Sequence, residues 1–460
     1  MEENRDRKTA RERFRHSLGI IYRLLAIVFI LLTVAAVAAN IFHKDKEYSS
    51  EENRQLAQMP AISWEAVKNG KFMSDFEDYI SDQFFMRNQW ISLKLTEDRL
   101  LGKKESNGVY LGKKGYLMEV LREPDWENTE KNAKSIAEFA SRHSDIPVYV
   151  GIVPNAAYIL KDKVPTNAPV RDQQADIQKV YKLCGSQVND IDLVRTMQDH
   201  ADEAVYYKTD HHWTSLGAYY GFMQIARKMN IADPETEYNI YTVADDFQGT
   251  MASKSGYHGS RDKIEIYESK NKNPEYVVSY TEEGEKSASG YDSEKLKEKD
   301  KYTVFLGGNH ARVDISTSVT DGGHLLLLKD SYANCMVQFL LPYYQDIIMI
   351  DPRYYYNDID KIIEDYGITD VLFLYNASTF LADNSIADVL AESEAENGQE
   401  ESQGTQEDSQ ENTQGAQEDG QENTQATQGE SQDNTQGTQE NGQDNAQGDQ
   451  GETQDDTQSE

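Results

Sequence analysis

The six residues from Thr209 to Thr214 (Thr-Asp-His-His-Trp-Thr) place a carboxylate close to an imidazole. Asp210 and His212 are two residues apart, so on an extended segment both side chains point to the same side, where the carboxylate can orient the imidazole. Ser331 lies two residues after the predicted buried strand 325–329 (Leu-Leu-Leu-Leu-Lys) and is the candidate nucleophile. Acyl transfer requires an activated hydroxyl, a base and a carboxylate that holds the base. The pattern therefore predicts a triad of Ser331, His212 and Asp210.

Less specific interpretations of the same residues remain open. An Asp-Ser pair after a strand also suits a helix N-cap, and Asp-His-His-Trp also suits a buried histidine beside a packed tryptophan. A metal site is a further alternative, formed by Asp210, His211 and His212 with His310 or His324. Adjacent histidines on a strand point to opposite faces, so we expect no metal and no cofactor. The sequence has no G-x-S-x-G, which argues against an ordinary α/β-hydrolase nucleophile elbow.

Alternating strand and helix patterns must position these residues. Strands are predicted at 148–153, 187–191, 302–306, 325–329, 346–350 and 371–375, and helices at 130–142, 214–229, 333–341 and 359–366. Several strands are continuous apolar runs, as expected for a sheet covered on both faces. The prediction is a three-layer α/β domain with Ser331 at the carboxyl end of its strand, where such sheets bind ligands. A helix starting near Ala333 would direct N–H groups and a positive dipole end toward an oxyanion.

Two stretches depart from this pattern. Residues 232–300 are polar, with short alternating runs, and are predicted to form an inserted flap or small antiparallel excursion near the site. From Gly404 the C-terminal tail repeats with an eleven-residue period and has no apolar seam, so we expect the tail at 392–460 to be disordered.

The net charge of −34 is unevenly distributed. Residues from Glu392 onward hold 20 acidic residues and no Lys or Arg, which leaves −14 for the rest of the chain. An acidic body without a basic footprint argues against nucleic-acid binding. Cys184 and Cys335 are too few for a disulfide framework and are expected to be buried, although a bridge between them stays open.

The N-terminus carries seven basic residues ahead of the uncharged run 24–42. As a helix this run measures roughly 28 Å, close to the hydrocarbon thickness of a bilayer. The basic flank predicts a cytoplasmic N-terminus and an extracytoplasmic main domain. A cleaved signal peptide is the competing interpretation, because Ala36-Val37-Ala38 resembles a cleavage site.

Asp210-His211-His212-Trp213 resembles the signature of the DHHW protein family, which is related to the SGNH hydrolase-like alginate O-acetyltransferases. Further blocks similar to the family follow in the same order across residues 45–385: Glu52-Asn53-Arg54-Gln55-Leu56, Asp82-Gln83-Phe84-Phe85-Met86-Arg87, Val153-Pro154, Lys329-Asp330-Ser331-Tyr332 and Asp351-Pro352-Arg353-Tyr354. One departure is that Asn155-Ala156-Ala157 follows Pro154, where many relatives have a lysine.

The resemblance implies an SGNH-like fold in which Ser331 is the nucleophile, His212 the general base and Asp210 its orienting carboxylate. It also implies that Arg353 and Tyr354 lie near the acyl or sugar pocket, with Trp213 a further candidate for substrate contact. Asn376 would donate a hydrogen bond to the oxyanion.

The predicted protein is a membrane-anchored, extracytoplasmic O-acyltransferase or esterase acting on a cell-surface glycan. Its partner would be an MBOAT-type membrane acyltransferase that exports acetyl groups. The alternative is a catalytically silent glycan-binding or scaffold protein of the cell envelope. The predicted segments are a cytoplasmic basic N-terminus at 1–23, a transmembrane anchor at 24–42, an extracytoplasmic stalk and helical region at 43–124, an SGNH-like domain at 125–391 with the insertion at about 232–300, and the tail at 392–460.

Overall fold

The computed structural model describes residues 2–49, 54–383 and 385–391. The tail at 392–460, as well as Glu52 and Asn53 of the first family block, lies outside these residues. The prediction about the tail therefore stays a prediction.

A long apolar helix begins the described chain. Its segment Leu18–Phe42 is 25 residues long, is not buried by the rest of the protein, and is long and apolar enough to cross a membrane. The apolar helix expected from the sequence is thus present, and an N-terminal signal sequence would have the same properties. The α-helices within the described residues are α1 Glu2–Phe42, α2 Trp64–Lys68, α3 Lys71–Asp82, α4 Arg87–Leu100, α5 Trp126–Arg142, α6 Ala156–Ile159, α7 Gln173–Cys184, α8 Leu193–Asp199, α9 Ser215–Lys228, α10 Thr250–Ser255, α11 Ile359–Tyr366, α12 Ala377–Phe380 and α13 Ser385–Val389.

The strands form one central sheet and three small ones. They are β1 Tyr48–Ser49, β2 Arg54–Gln55, β3 Glu105–Ser106, β4 Val109–Leu111, β5 Leu117–Glu119, β6 Val148–Val153, β7 Val188–Ile191, β8 Tyr238–Phe247, β9 Asp262–Ser269, β10 Tyr276–Tyr280, β11 Glu285–Ser287, β12 Arg312–Thr317, β13 Gly323–Lys329, β14 Tyr344–Ile350 and β15 Asp370–Asn376. The central sheet has the order β11-β10-β12-β14-β13-β15-β6-β7. Its strands β14, β13, β15, β6 and β7 are parallel, whereas β12, β10 and β11 extend one edge by antiparallel pairing.

Burial explains the continuous apolar runs of the parallel strands. All six residues of β6 are buried, and so are the last five of β13 and the last six of β15. Side chains alternate between the two faces of a strand, so unbroken burial means that both faces are covered. Helix α5 packs against α7 and α13, and α8 packs against α9. The predicted α/β fold class with a mostly parallel sheet is confirmed.

Two sequence-based assignments need correction. The predicted strand at 302–306 is instead a 3-10 helix, Lys301–Val304, capped by the Asp300 side chain. The predicted helix at 333–341 is two 3-10 helices, Ser331–Cys335 and Val337–Phe339. Both segments are short apolar runs, for which periodicity does not distinguish conformations. The polar stretch 232–300 agrees with the expected antiparallel excursion in its first part, where β8 and β9 form a separate two-stranded antiparallel sheet, whereas β10 and β11 extend the central sheet.

Candidate active site

Asp210 and His212 lie on a tight loop between Tyr206 and Trp213, which are joined by an antiparallel β-bridge. Asp210 Oδ1 accepts a hydrogen bond from the backbone N–H of His212 at 3.0 Å and lies 2.6 Å from His212 Nδ1. This is an Asx turn, in which a carboxylate binds a backbone N–H two residues further on. The extended conformation expected from the sequence is therefore wrong, although the two side chains do meet.

Ser331 comes to this loop from the carboxyl end of β13. Its Oγ lies 2.7 Å from His212 Nε2, across 119 positions of the sequence. The adjacent Asp330 caps the 3-10 helix, since its carboxylate accepts the N–H of Tyr332 at 2.9 Å. The N-cap that the sequence allowed for the Asp-Ser pair is therefore formed by Asp330. The Ser331 hydroxyl faces the imidazole instead.

Residues from the polar stretch hold the other oxygen of Asp210. Asp210 Oδ2 accepts two hydrogen bonds from Thr250, one from the backbone N–H at 2.8 Å and one from Oγ1 at 3.0 Å. Gly249 is required beside it, because a Cβ at that position would lie 2.2 Å from Asp210 Oδ2. The sequence analysis missed both residues, and neither carries a motif that would have identified it.

Charge interactions keep this carboxylate ionised. Burial alone would raise the pKa of Asp210, but the nearby His212 and His211 and the hydrogen bonds from His212 outweigh burial and lower the pKa below its ordinary value. Burial and repulsion by His212 lower the pKa of His211, against the attraction of Asp210. A neutral His211 can donate its Nδ1–H to Thr250 Oγ1, 2.7 Å away, while the Thr250 hydroxyl donates to Asp210.

Tyr302 packs directly on the imidazole of His212. Their rings are stacked, with centroids 3.7 Å apart and planes 10° from parallel. The Tyr302 hydroxyl donates to the Ser331 carbonyl oxygen at 2.9 Å. Burial raises the pKa of Tyr302 well above its ordinary value, so the phenol remains protonated. This residue, which the sequence analysis assigned to a strand, contacts both His212 and Ser331.

The alternative metal site has only part of its expected ligand set. Because the loop is not a strand, the His211 and His212 rings lie side by side with centroids 3.8 Å apart, and the expectation that they point to opposite faces is wrong. Ligand atoms of Asp210, His211 and His212 lie within 4.8 Å of one another. However, His212 Nδ1 and Nε2 already face Asp210 and Ser331. The two further candidates lie elsewhere, His310 against Glu283 and His324 against Asp346.

Arg353 and Tyr354 are placed by a buried carboxylate. The Arg353 guanidinium binds Asp351 through two hydrogen bonds, Nε to Oδ1 at 2.9 Å and Nη2 to Oδ2 at 2.7 Å. Buried Lys329 lies 3.5 Å from the same carboxylate, and the Arg353 guanidinium lies 5.4 Å from the centroid of the Tyr354 ring. This geometry favours a structural role for Arg353 over the predicted substrate contact.

Trp213 and Asn376 are also held within the protein. Trp213 is fully buried and donates its indole N–H to the Tyr332 carbonyl oxygen at 2.9 Å, so it has no surface for the predicted substrate contact. Asn376 ends β15, and its side-chain amide donates to Val153 O and accepts from Asn155. The predicted oxyanion donor therefore already has protein partners, among them the residue that departs from the family pattern.

The cysteines agree with expectation in being buried. Cys184 and Cys335 are both free, so the bridge that the sequence left open is not formed.

The comparisons with known proteins agree with this fold. The family model described as DHHW protein matches residues 134–350, a range that includes Asp210, His212 and Ser331, and confirms the resemblance to the DHHW family. No curated protein matches the sequence.

Solved structures similar to this chain include a DHHW family protein from Eubacterium siraeum DSM 15702, with 24% sequence identity and a TM-score of 0.54 over 62% of this chain and 95% of that one. Bacillus cereus PatB1 with a sulfonyl adduct is 18% identical, with a TM-score of 0.52 over 60% of this chain and 97% of that one. The O-acetyltransferase domain of Pseudomonas putida AlgJ is 13% identical, with a TM-score of 0.41 over 62% of this chain and 98% of that domain. The first two similarities support the α/β fold with a mostly parallel central sheet.

Proposed function

We propose that this protein, which resembles the DHHW family, is a membrane-anchored O-acyltransferase or esterase that acts on cell-surface polysaccharide. One observation carries the proposal: Asp210, His212 and Ser331 form a continuous line of contacts of 2.6 and 2.7 Å. The acetyl group and the glycan acceptor come from the relationship of the DHHW family to alginate O-acetyltransferases.

The first half-reaction forms an acetyl-serine. Asp210 holds the proton of His212 on Nδ1, which leaves Nε2 as the acceptor for the Ser331 hydroxyl proton. As that proton moves to Nε2, Ser331 Oγ bonds to the acetyl carbonyl carbon and a tetrahedral oxyanion forms. The oxyanion collapses, the bond to the donor oxygen or sulfur breaks, and His212 returns the proton to the departing group.

The oxyanion would be stabilised at the beginning of the 3-10 helix. The N–H groups of Tyr332 and Ala333 are bound by the Asp330 side chain and carbonyl oxygen. We assign the role of donor to the N–H of Ser331 itself, which stands first in that helix. This assignment replaces Asn376, whose amide is bound to Val153 and Asn155.

The second half-reaction reverses the first with a different nucleophile. A sugar hydroxyl, or water in an esterase, gives its proton to His212 Nε2 and attacks the acetyl carbonyl carbon. The ester bond to Ser331 Oγ breaks, and the serine takes the proton back.

Because acetyl donors such as acetyl-CoA are cytoplasmic, transfer outside the membrane would need a partner that exports acetyl groups. The proposed partner is an MBOAT-type acyltransferase.

Membrane anchoring rests on α1. The basic N-terminal flank favours a cytoplasmic N-terminus, with the α/β domain on the outer side. Leu18–Phe42 is long enough to span the hydrocarbon region as an uncleaved anchor.

The test is covalent labelling together with turnover. The full-length protein in detergent is incubated with an aryl acetate and, separately, with a sulfonyl fluoride, which forms a stable ester with an activated serine. We expect acetate release and a sulfonyl group located on Ser331 by mass spectrometry. Both should vanish in Ser331→Ala and persist in Ser293→Ala, which alters an exposed serine outside the site.

Failure of labelling and turnover in the folded wild-type protein would support the silent glycan-binding scaffold instead. A Ser331→Ala variant that retained acetate release would show that another group is the nucleophile.

A further inference from the structure

A cavity lies between α4 and the small sheet β3-β4-β5. Its volume is about 250 Å³, and its lining includes Arg99, Lys103, Lys104 and the ring of Tyr257. We infer that this cavity binds a carboxylate or phosphate group on the acceptor glycan, so that the protein selects an anionic polysaccharide. The inference rests on the proposed function for the glycan, while the cavity and its charges are independent of the triad.

The local charge is opposite to that of the whole chain. Residues 99–114 contain five basic residues and one acidic residue, whereas the chain ahead of its tail carries a net charge of −14. Basic side chains concentrated around a concavity attract anions and raise their local concentration. The cavity therefore stands out electrostatically from an acidic protein that would otherwise repel polyanions.

Two of the cations are available to a ligand. Lys103 is paired with Asp98 at 2.7 Å, but neither Arg99 nor Lys104 has an ion-pair partner among the residues that the structure describes. The Arg99 guanidinium lies 4.8 Å from the centroid of the Tyr257 ring, and this contact holds it in place. A positioned guanidinium matches the two oxygens of a carboxylate or phosphate.

The rest of the lining suits a sugar ring. Leu111, Leu117 and the partly buried Tyr257 supply apolar and aromatic surface beside the cations. Ligand cavities commonly combine such surface with a few placed polar groups.

Strand β5 connects the cavity to the active site. Leu117 lines the cavity, and its backbone N–H donates to the carbonyl oxygen of Lys208, two residues before Asp210. Glu119, two residues further along β5, lies with its carboxylate 3.4 Å from Asn155 Nδ2 at the carboxyl edge of the sheet. Two residues of a strand span roughly 7 Å. An oligosaccharide held in the cavity would thus be directed along β5 toward the edge of the sheet at which Ser331 follows β13.

The experiment measures binding of three probes to the full-length protein in detergent: an oligo-uronate, a glycerol-phosphate oligomer and a neutral malto-oligosaccharide of equal length. We expect at least one anionic probe to bind about tenfold or more tightly than the neutral probe at low salt, with the difference shrinking at high salt. The two anionic probes distinguish a carboxylate ligand from a phosphate ligand.

The test variant is Arg99→Gln with Lys104→Gln, and its control is Lys94→Gln with Lys361→Gln, which removes the same charge at exposed positions outside the cavity. We expect the test variant to lose the anionic preference and to keep aryl acetate turnover within about twofold of the wild type, because it leaves the triad intact. Equal wild-type affinity for the neutral probe, or equal losses in both double variants, would overturn the inference. Absence of wild-type aryl acetate turnover would refute the proposed function. The binding comparison would still decide whether the cavity binds an anionic glycan.

Discussion

Thr250 donates two hydrogen bonds to one oxygen of Asp210, from its backbone N–H at 2.8 Å and from its hydroxyl at 3.0 Å. The other oxygen of Asp210 accepts a hydrogen bond from the backbone N–H of His212 and lies 2.6 Å from His212 Nδ1, with His211 Nδ1 3.8 Å away. The carboxylate is therefore fixed from both sides. Thr250 acts as a positioning residue for the proposed base.

We predict that Thr250→Val lowers kcat for aryl acetate about tenfold with little change in KM. A hydrogen bond to a charged group contributes roughly 1.5–3 kcal/mol, and its loss lets the carboxylate turn away from His212. Thr250→Ser, which restores the hydroxyl, should recover most of the rate. An equal loss in both variants, or a fall in the thermal midpoint that accounts for the loss, would point to a purely structural role.

Removal of either Ser331 or His212, the proposed nucleophile and base, should be similarly damaging. We predict that Ser331→Ala and His212→Ala each lower kcat/KM by about 10³-fold or more, and that the double variant is no slower than the single ones, because the residues act as a unit. Steady-state kinetics on all three variants measures this. Multiplicative losses in the double variant would mean that the two residues act separately.

Two substitutions of Tyr302 can separate the effect of ring stacking on His212 from the effect of the hydrogen bond to Ser331. Tyr302→Phe keeps the ring against His212 and loses one hydrogen bond to the Ser331 carbonyl, which is worth about 1 kcal/mol of stability. Tyr302→Leu also loses the stacked ring that holds the imidazole. We therefore predict a clearly lower kcat for the Tyr302→Leu variant than for the Tyr302→Phe variant. Chemical unfolding and kinetics are measured together. Identical rates in the two variants would refute a positioning role for the ring.

Arg353 tests the distinction between a structural and a substrate-binding cation. Because it pairs with fully buried Asp351, Arg353→Ala should lower the free energy of unfolding by about 3–5 kcal/mol. Arg195→Ala, at an exposed ion pair, should change it by less than about 1 kcal/mol. A raised KM in Arg353→Ala with unchanged unfolding would instead restore the substrate contact that the family resemblance implies.

The lowered pKa of Asp210 predicts how stability depends on pH. A carboxyl whose pKa is lower in the folded than in the unfolded state stabilises the fold above the unfolded value of about 3.9, and this stabilisation is lost as the pH falls through the lower, folded value. The stability difference between the wild type and Asp210→Asn should therefore be full above about pH 5 and shrink on further acidification. Chemical unfolding of both proteins at a series of pH values measures this stability difference, with Asp199→Asn at an exposed position as the control. A stability difference that grew as the pH fell would contradict a lowered pKa of Asp210 in the folded protein.

Local patterns predicted much of the fold and part of the candidate site. The strand predicted at 148–153 and the helix predicted at 359–366 are β6 and α11, because buried strands and amphipathic helices leave distinct periods in the sequence. The position of Ser331 after β13 followed from the same reasoning. Short apolar runs were the exception, and two of them are 3-10 helices.

The residues Asp210, His212 and Ser331 were identifiable in the chain because their chemical types and their places next to apolar runs are local properties. Contacts between distant segments were not identifiable in this way. Thr250 reaches Asp210 across 40 residues and Tyr302 reaches the Ser331 carbonyl across 29, from stretches without a chemical motif. Burial of Trp213 and pairing of Arg353 with Asp351 likewise depend on how the elements pack. Packing brings together side chains whose separation along the chain carries no information about their distance in space, so these relationships emerge only when the sheet and its loops are assembled.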